Sequence, residues 1–208
     1  ELVDRVVGAC EHPNGGSILD LACGTGEHAR MFDGKGFLVS AWDKSRTLIE
    51  YARKHNYGPN YCIGNYEDIE YNSAFDLVTI LGKAFGYLDE VGNVELLRKI
   101  RQALKPDGRA FIQYTTIEEV AGLDKQVWEE IEGGYSLERH RYGSETSTYY
   151  SRYWHIMLDG RIIEPAREAG YTANQVVRCY GVSEIENICE NVGFMVMDAK
   201  PGDLHLCV

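Results

Sequence analysis

Proline is scarce, with 5 residues in 208, and no stretch is rich enough in it to act as a stiff extended spacer. Long apolar runs are also missing. The longest fall far short of the roughly 20 residues that a bilayer-crossing helix needs, and the N-terminus has no charged-then-apolar leader pattern, so no membrane association is expected. Basic residues are in deficit, 21 Lys and Arg against 32 Asp and Glu, giving a formal net charge of -11. Nucleic-acid affinity rests on basic side chains that displace counterions from phosphates, and this balance argues against nucleic acid as a partner. The six cysteines, Cys10, Cys23, Cys62, Cys179, Cys189 and Cys207, contain no C-x-x-C pair. That excludes the spacing of a zinc ribbon or a dense disulfide scaffold; reduced, mostly buried thiols in a cytoplasmic protein are expected, with no metal.

What is abundant is glycine, at 22 residues, clustered where turns are expected, in a chain 44% hydrophobic and 25% charged. Such a composition fits a single globular domain over residues 1–208. Its first half alternates short apolar runs with helical patterns. Residues 17–22 read as a buried strand, 27–32 as a helix, 37–42 as a strand, 45–55 as a helix opened by the Ser45 cap, and 60–63 as a strand. Then come a strand at 75–81, a helix at 93–104, a turn at Lys105-Pro106-Asp107-Gly108 and a strand at 109–114. This rhythm predicts parallel crossovers in a doubly wound α/β sheet, with ligands at the carboxyl ends of its strands. Past Tyr114 the pattern changes to strand-like alternation, at 147–157 and 173–180, before a helix at 184–191 and strands at 194–198 and 204–208. Residues 115–181 are therefore an antiparallel, β-rich insertion after the fifth strand of the parallel sheet.

The richest chemistry lies after the first strand. Gly24-Thr25-Gly26-Glu27-His28-Ala29 fits a G-x-G-x-x-A turn between strand and helix, with Asp43 ending the next strand. By itself that pattern serves a nicotinamide dinucleotide as well as any other ligand. Asp20 separates the readings. A pyrophosphate loop gains from a helix N-terminus and from the absence of anions nearby, and a carboxylate four residues before Gly24 opposes it. A phosphate-free cofactor with a sulfonium and an ammonium, S-adenosylmethionine, suits it: Asp20 balances the cationic end, the glycines let the backbone approach, and Asp43 accepts from both ribose hydroxyls.

The run Ile18-Leu19-Asp20-Leu21-Ala22-Cys23-Gly24-Thr25-Gly26 resembles the first motif of the class I S-adenosylmethionine-dependent methyltransferases. Later segments follow the family's order: Val39 to Ser45 resembles its ribose-binding acidic segment, Gly64 to Ile69 its third segment, Phe75 to Gly82 its fourth strand, and Leu104 to Arg109 the turn before the fifth. The third segment departs from the family in carrying Asn65 where Asp is usual, although an amide oxygen still accepts from an adenine amino group. The resemblance covers 17–114 well and 182–208 loosely. It implies a Rossmann-like, mainly parallel seven-stranded sheet and a cofactor site of Asp20, Ala22, Gly24, Gly26, Asp43, Lys44, Asn65, Tyr66, Leu81 and Gly82. A nicotinamide oxidoreductase and a non-catalytic S-adenosylmethionine-binding module are the competing readings.

The order Gly82 to Leu88 followed by a β-rich insertion is similar to small-molecule N-methylating members of that family, and O-methylating relatives share it. The expected partner is a small-molecule methyl acceptor, with nitrogen favoured over oxygen. Tyr87, Tyr114 and His155 are the catalytic candidates, and His140 a weaker one, because acceptor activation calls for a group able to hold a proton beside the strand ends. The insertion holds six of the thirteen arginines, among several acidic residues, and seven of the fourteen tyrosines. Tyr87, Arg139, Tyr153 and Arg178 are accordingly the substrate-binding candidates, with an anionic or aromatic acceptor in view.

Overall fold

The computed structural model describes residues 2–8, 15–164 and 173–208. Cys10, Arg167, Glu168 and Tyr171, which counted among the cysteines and the insertion's charged and aromatic residues, lie outside the described residues. The described residues form two compact units, one within 1–85, 90–114 and 182–208, the other within 86–89 and 115–181.

The first unit opens with helix α1 (Leu2–Gly8). Strand β1 (Ser17–Leu21) follows, then α2 (Glu27–Asp33), β2 (Leu38–Asp43), α3 (Arg46–His55) and β3 (Asn60–Ile63). After a 3-10 turn at Tyr66–Asp68 come β4 (Phe75–Phe85), α4 (Glu90–Ala103) and β5 (Leu104–Tyr114). The second unit supplies α5 (Ile117–Val120), β6 (Asp124–Ile131), β7 (Gly134–Gly143), β8 (Thr148–Met157), β9 (Ile162–Ile163) and β10 (Gln175–Arg178). The chain closes on α6 (Val182–Val192), β11 (Met195–Lys200) and β12 (Asp203–Cys207) in the first unit.

In that unit the seven strands lie in the order β11-β12-β5-β4-β1-β2-β3. The five from β5 to β3 are parallel, whereas β12 runs antiparallel to β5 and β11 antiparallel to β12. The parallel strands read as continuous apolar runs because both faces are covered. Val3 and Val6 of α1, Ala29 and Phe32 of α2, and Ile49 and Ala52 of α3 pack with Ile18, Val39, Ala41 and Leu77 in one buried cluster. The alternate residues Leu19, Val78, Ile80, Ala110 and Ile112 are equally buried, and α4 and α6 pack on each other and against β4, β5 and β11.

At the amino ends of the central strands, Asp76 Oδ2 accepts from Ser17 N at 2.7 Å, Ser17 Oγ at 2.8 Å and Lys105 Nζ at 2.8 Å. This cluster ties β1, β4 and β5 together. Burial works against the charged Asp76 carboxylate, but the Lys105 and Ser17 bonds outweigh it and hold the pKa down at about 2. β4 runs longer than the sequence predicts at its carboxyl end and β5 at its amino end, because the breaks at 82–85 and 104–108 are absorbed as register irregularities rather than strand ends.

The second unit is an antiparallel sheet ordered β10-β8-β7-β6, with β9 pairing β8. The β6 and β7 hairpin, with few apolar alternations, escapes a sequence reading centred on the later strands.

Candidate cofactor site

The strand order reverses at β1, which has β2 on one side and β4 on the other, so the loop leaving β1 stands at a topological switch point, where ligands of open α/β sheets bind. Backbone demands explain its composition. Ala22, Gly24 and Gly26 have φ of 57°, 55° and 77°, the left-handed region. Gly26 is required twice over, since a Cβ there would also sit 2.6 Å from Cε1 of Tyr61. The loop is stitched to its neighbours: Cys23 N donates to the Trp42 carbonyl at 3.0 Å, Asn56 Nδ2 to the Thr25 carbonyl at 2.8 Å, and Gly26 N to the Cys23 carbonyl at 2.9 Å.

Asp43 closes the loop from below. Its Oδ2 accepts from Gly24 N at 2.9 Å and its Oδ1 from Ser45 N at 2.8 Å. Each oxygen keeps a further lone pair, so the carboxylate is oriented by the backbone and still able to accept two hydroxyls.

Asp20 lies on β1 opposite Thr79 of β4. It is 1% exposed; Oδ1 accepts from Thr79 Oγ1 at 2.7 Å, while Oδ2 is buried and without a hydrogen-bond partner among the described residues. Burial, opposed by the Thr79 bond and reinforced by the Asp43 charge, pushes the Asp20 carboxyl up to about 7. Two neighbours feel the same field. The Cys23 thiol is pushed well above its ordinary value by burial and by the charges of Asp20 and Asp43, and the Tyr61 phenol is raised to about 12 by burial, with Cys23 and Asp20 adding to it. A half-satisfied buried carboxylate beside a second one is costly without a cationic or proton-donating partner. The arrangement suits a cation over the loop and disfavours a pyrophosphate.

Other candidates fall around this centre. Gly64 N donates to the Asp43 carbonyl at 3.1 Å, which draws the segment of Asn65 and Tyr66 to the end of β2. There Asn65 is exposed and its Nδ2 donates to Asp68 Oδ2 at 3.2 Å. Lys44 is exposed beside Asp43, and Leu81 is buried. The Gly82 N–H donates to Gln113 Oε1 at 2.9 Å, so that amide already has a partner. Thr79 and Tyr61, which hold Asp20 and the loop, were not among the sequence candidates; a threonine in the otherwise apolar run 77–81 is the signal that marks a buried polar partner.

The catalytic and substrate candidates divide differently. Tyr114 belongs to the first unit; it is fully buried and its hydroxyl donates to the Lys200 carbonyl at 3.3 Å, which makes it a packing residue of the β5 end and not a surface ready for a ligand. Its strand-end position is correct, but the side chain turns into the core.

Tyr87 falls in the second unit and is partly exposed. On the small sheet, register decides the rest. Arg139 faces Arg152 across β7 and β8, and Arg178 faces Thr148 across β10 and β8, on one face of the sheet; Tyr153, opposite Glu138, and His155, opposite Ser136, occupy the other. Arg139 and Tyr153 therefore cannot act on one group together. Arg178 is engaged, donating to the Cys179 carbonyl and lying over the Tyr180 ring at 4.5 Å. Nδ1 of His155 is buried without a hydrogen-bond partner among the described residues. On the same face His140 bridges Tyr149 Oη at 2.6 Å and Glu138 Oε2 at 3.1 Å, a continuous polar chain. Among the described residues no cluster of His, Cys, Asp or Glu could hold a metal, the five cysteines are free thiols, and no helix is long and apolar enough to cross a membrane.

Residues 18–108 match the family model described as a methyltransferase domain. The chain is similar to a cypemycin N-terminal methyltransferase of Streptomyces sp, 33% identical over 105 residues, covering 49% of this chain and 43% of that protein. It is also similar to a dTDP-4-amino-2,3,4,6-tetradeoxy-D-glucose N,N-dimethyltransferase of Saccharopolyspora spinosa, 29% identical over 102 residues, covering 49% of this chain and 41% of that protein. The match thus spans less than half the length of these curated relatives. Among solved structures, the CcbJ methyltransferase of Streptomyces caelestis superposes with TM-score 0.80 at 15% identity, over 99% of this chain and 86% of that one, a likeness of fold.

Proposed function

We propose that this chain, a member of the class I S-adenosylmethionine-dependent methyltransferases, transfers a methyl group from that cofactor to a nitrogen or oxygen of a small molecule by in-line displacement. The observation that carries the reading is Asp20: a buried carboxylate with one oxygen unpartnered among the described residues, beside Asp43 and under a loop that brings no cation of its own. Asp20 balances the cationic end of the cofactor, Asp43 holds the ribose hydroxyls while its backbone bonds keep it oriented, and Asn65 with Tyr66 receives the adenine. The backbone at Ala22, Gly24, Gly26, Leu81 and Gly82 completes the set, with Lys44 at its rim. When bound, S-adenosylmethionine supplies a carbon already activated by its sulfonium, so the protein's task is to align an acceptor lone pair and exclude water.

Nitrogen is favoured over oxygen, since a neutral amine attacks without a strong base, and one of the similar proteins is named an N,N-dimethyltransferase. Residues 115–181 are assigned to acceptor binding. Tyr87 and His155 remain the candidates for contact with the acceptor, with Tyr153 on the His155 face and Arg139 and Arg178 on the other. The free thiols support a cytoplasmic setting. Calorimetric titration with S-adenosylmethionine, NADH and NADPH tests the cofactor: saturable binding of the first alone is expected, and tight binding of a nicotinamide alone overturns the proposal. Turnover against amines, phenols and carboxylates then separates nitrogen from oxygen acceptors and an enzyme from a non-catalytic binding module.

A further inference from the structure

On the small sheet of the second unit, β7, β8 and the hairpin turn between them enclose a cleft of about 620 Å³ lined by Arg139, Arg141, Arg152, Tyr150 and Trp154, with Glu145 as a carboxylate on its wall. Three guanidinia on one sheet face are unusual in a chain short of basic residues. Arg139 stands directly opposite Arg152 in the antiparallel register, where like charges destabilise a sheet. Folding alone gives partial compensation. Arg152 is ion-paired with Glu164 at 2.8 Å and lies 4.4 Å over the Trp154 ring, but among the described residues Arg139 reaches only Asp124, at 3.8 Å. The exposed Arg141 guanidinium has no hydrogen-bond or ion-pair partner among the described residues.

We propose that this cleft binds a phosphorylated small molecule, its phosphate held between Arg139 and Arg141. These residues are two apart on one strand and project from the same face, so their Cα atoms stand roughly 7 Å apart, within which two long side chains can converge on one group. A single carboxylate is satisfied by one guanidinium fork, whereas a phosphate dianion has the charge and the oxygens for two. Arg152, already neutralised by Glu164, shapes the wall. The volume lies in the range of sites for whole small molecules rather than for a bare anion, and Tyr150 and Trp154 offer apolar surface to the organic part. The inference rests on the acceptor-binding role proposed for Arg139, but occupancy of the cleft is read without turnover.

Uridine diphosphate, pyrophosphate, inorganic phosphate and uridine are the probes, titrated by calorimetry into the full chain, with S-adenosylmethionine titrated in parallel. Uridine diphosphate is expected to bind saturably, about tenfold or more tighter than inorganic phosphate, with pyrophosphate between them and uridine undetectable. Arg139→Gln with Arg141→Gln is expected to weaken uridine diphosphate by about tenfold or more and leave S-adenosylmethionine affinity unchanged. Circular dichroism verifies the fold of the double variant, and the single Arg141→Gln, which removes an exposed group without a partner among the described residues, gives the same reading if the double fails to fold. No saturable binding of any phosphorylated probe, or binding indifferent to Arg141→Gln, overturns the proposal. Failure of S-adenosylmethionine to bind while uridine diphosphate does would count against the methyltransferase reading alone.

Discussion

Replacing Asp43 by Ala removes one acceptor with two duties. In the free protein its carboxylate takes the Gly24 N–H at 2.9 Å and the Ser45 N–H at 2.8 Å, so it holds both the loop after β1 and the start of α3. Hydrogen bonds to a charged group contribute about 1.5–3 kcal/mol each, but both of these amides are near solvent and recover water when the carboxylate is lost, so the net destabilisation is expected at about 1–3 kcal/mol. The same oxygens are assigned to the ribose hydroxyls, and losing a charged acceptor there should weaken S-adenosylmethionine by about 1–3 kcal/mol, a factor of roughly 5 to 150 in Kd. Thermal melts of the free protein measure the first effect and calorimetric titration below the melting range measures the second. Asp43→Asn discriminates further: its amide nitrogen must face one of the two backbone N–H donors, so it should rescue only part of either loss. A folded Asp43→Ala protein with unchanged Kd would refute the ribose assignment, and an unchanged melting temperature would refute the loop-bracing role.

Three further outcomes follow from the same geometry. Because burial raises the Asp20 carboxyl to about 7, the folded state holds a proton there that the unfolded chain releases near its ordinary value. Stability should therefore fall as pH rises from about 4 to about 7, and S-adenosylmethionine affinity should rise through pH 7 as the carboxylate ionises; Asp20→Asn should flatten both profiles, in melts and in titrations across that range. Asp76, held at about 2 by Lys105 and Ser17, has the opposite sign: its contribution is present above the ordinary carboxylate pKa and is lost as pH falls from about 4 to about 2, so Asp76→Asn should lower the neutral-pH melting temperature and reduce the loss in acid. Gly26→Ala should destabilise by about 1–3 kcal/mol, since it combines a left-handed backbone with a Cβ 2.6 Å from the Tyr61 ring, and denaturant melts would register it.

The parallel half of the fold was legible because its central strands β1 and β4 carry runs buried on both faces and because α3 carries its own start signal at Ser45, whose side chain accepts from Leu48 N at 3.3 Å. The short strand at 60–63 and the two strand-end carboxylates were legible from their place in the alternation of strands and helices. What was not legible lies in side-chain direction and partner. Tyr114 sits where the pattern places it, yet its ring packs inward and its hydroxyl meets the Lys200 carbonyl. Arg139 and Tyr153 are both in the insertion, but the register of β7 against β8 sends them to opposite faces. His140 looked the weaker histidine in sequence and is the one with two side-chain partners.

The scarcity of basic residues, the glycine loop and the positions of Asp20 and Asp43 were determined by the sequence alone, because charge, backbone freedom and strand-end placement are properties of short segments. Only the tertiary structure decided what surrounds them. It buried Asp20 with one oxygen unpartnered among the described residues, spent two of the Asp43 lone pairs on backbone amides, and set Arg139 against Arg152 in a chain otherwise short of cations. Apart from the Ser45 amide, two positions from Asp43, those outcomes depend on register and on packing between residues 13 to 59 positions apart, and no local pattern carries that information.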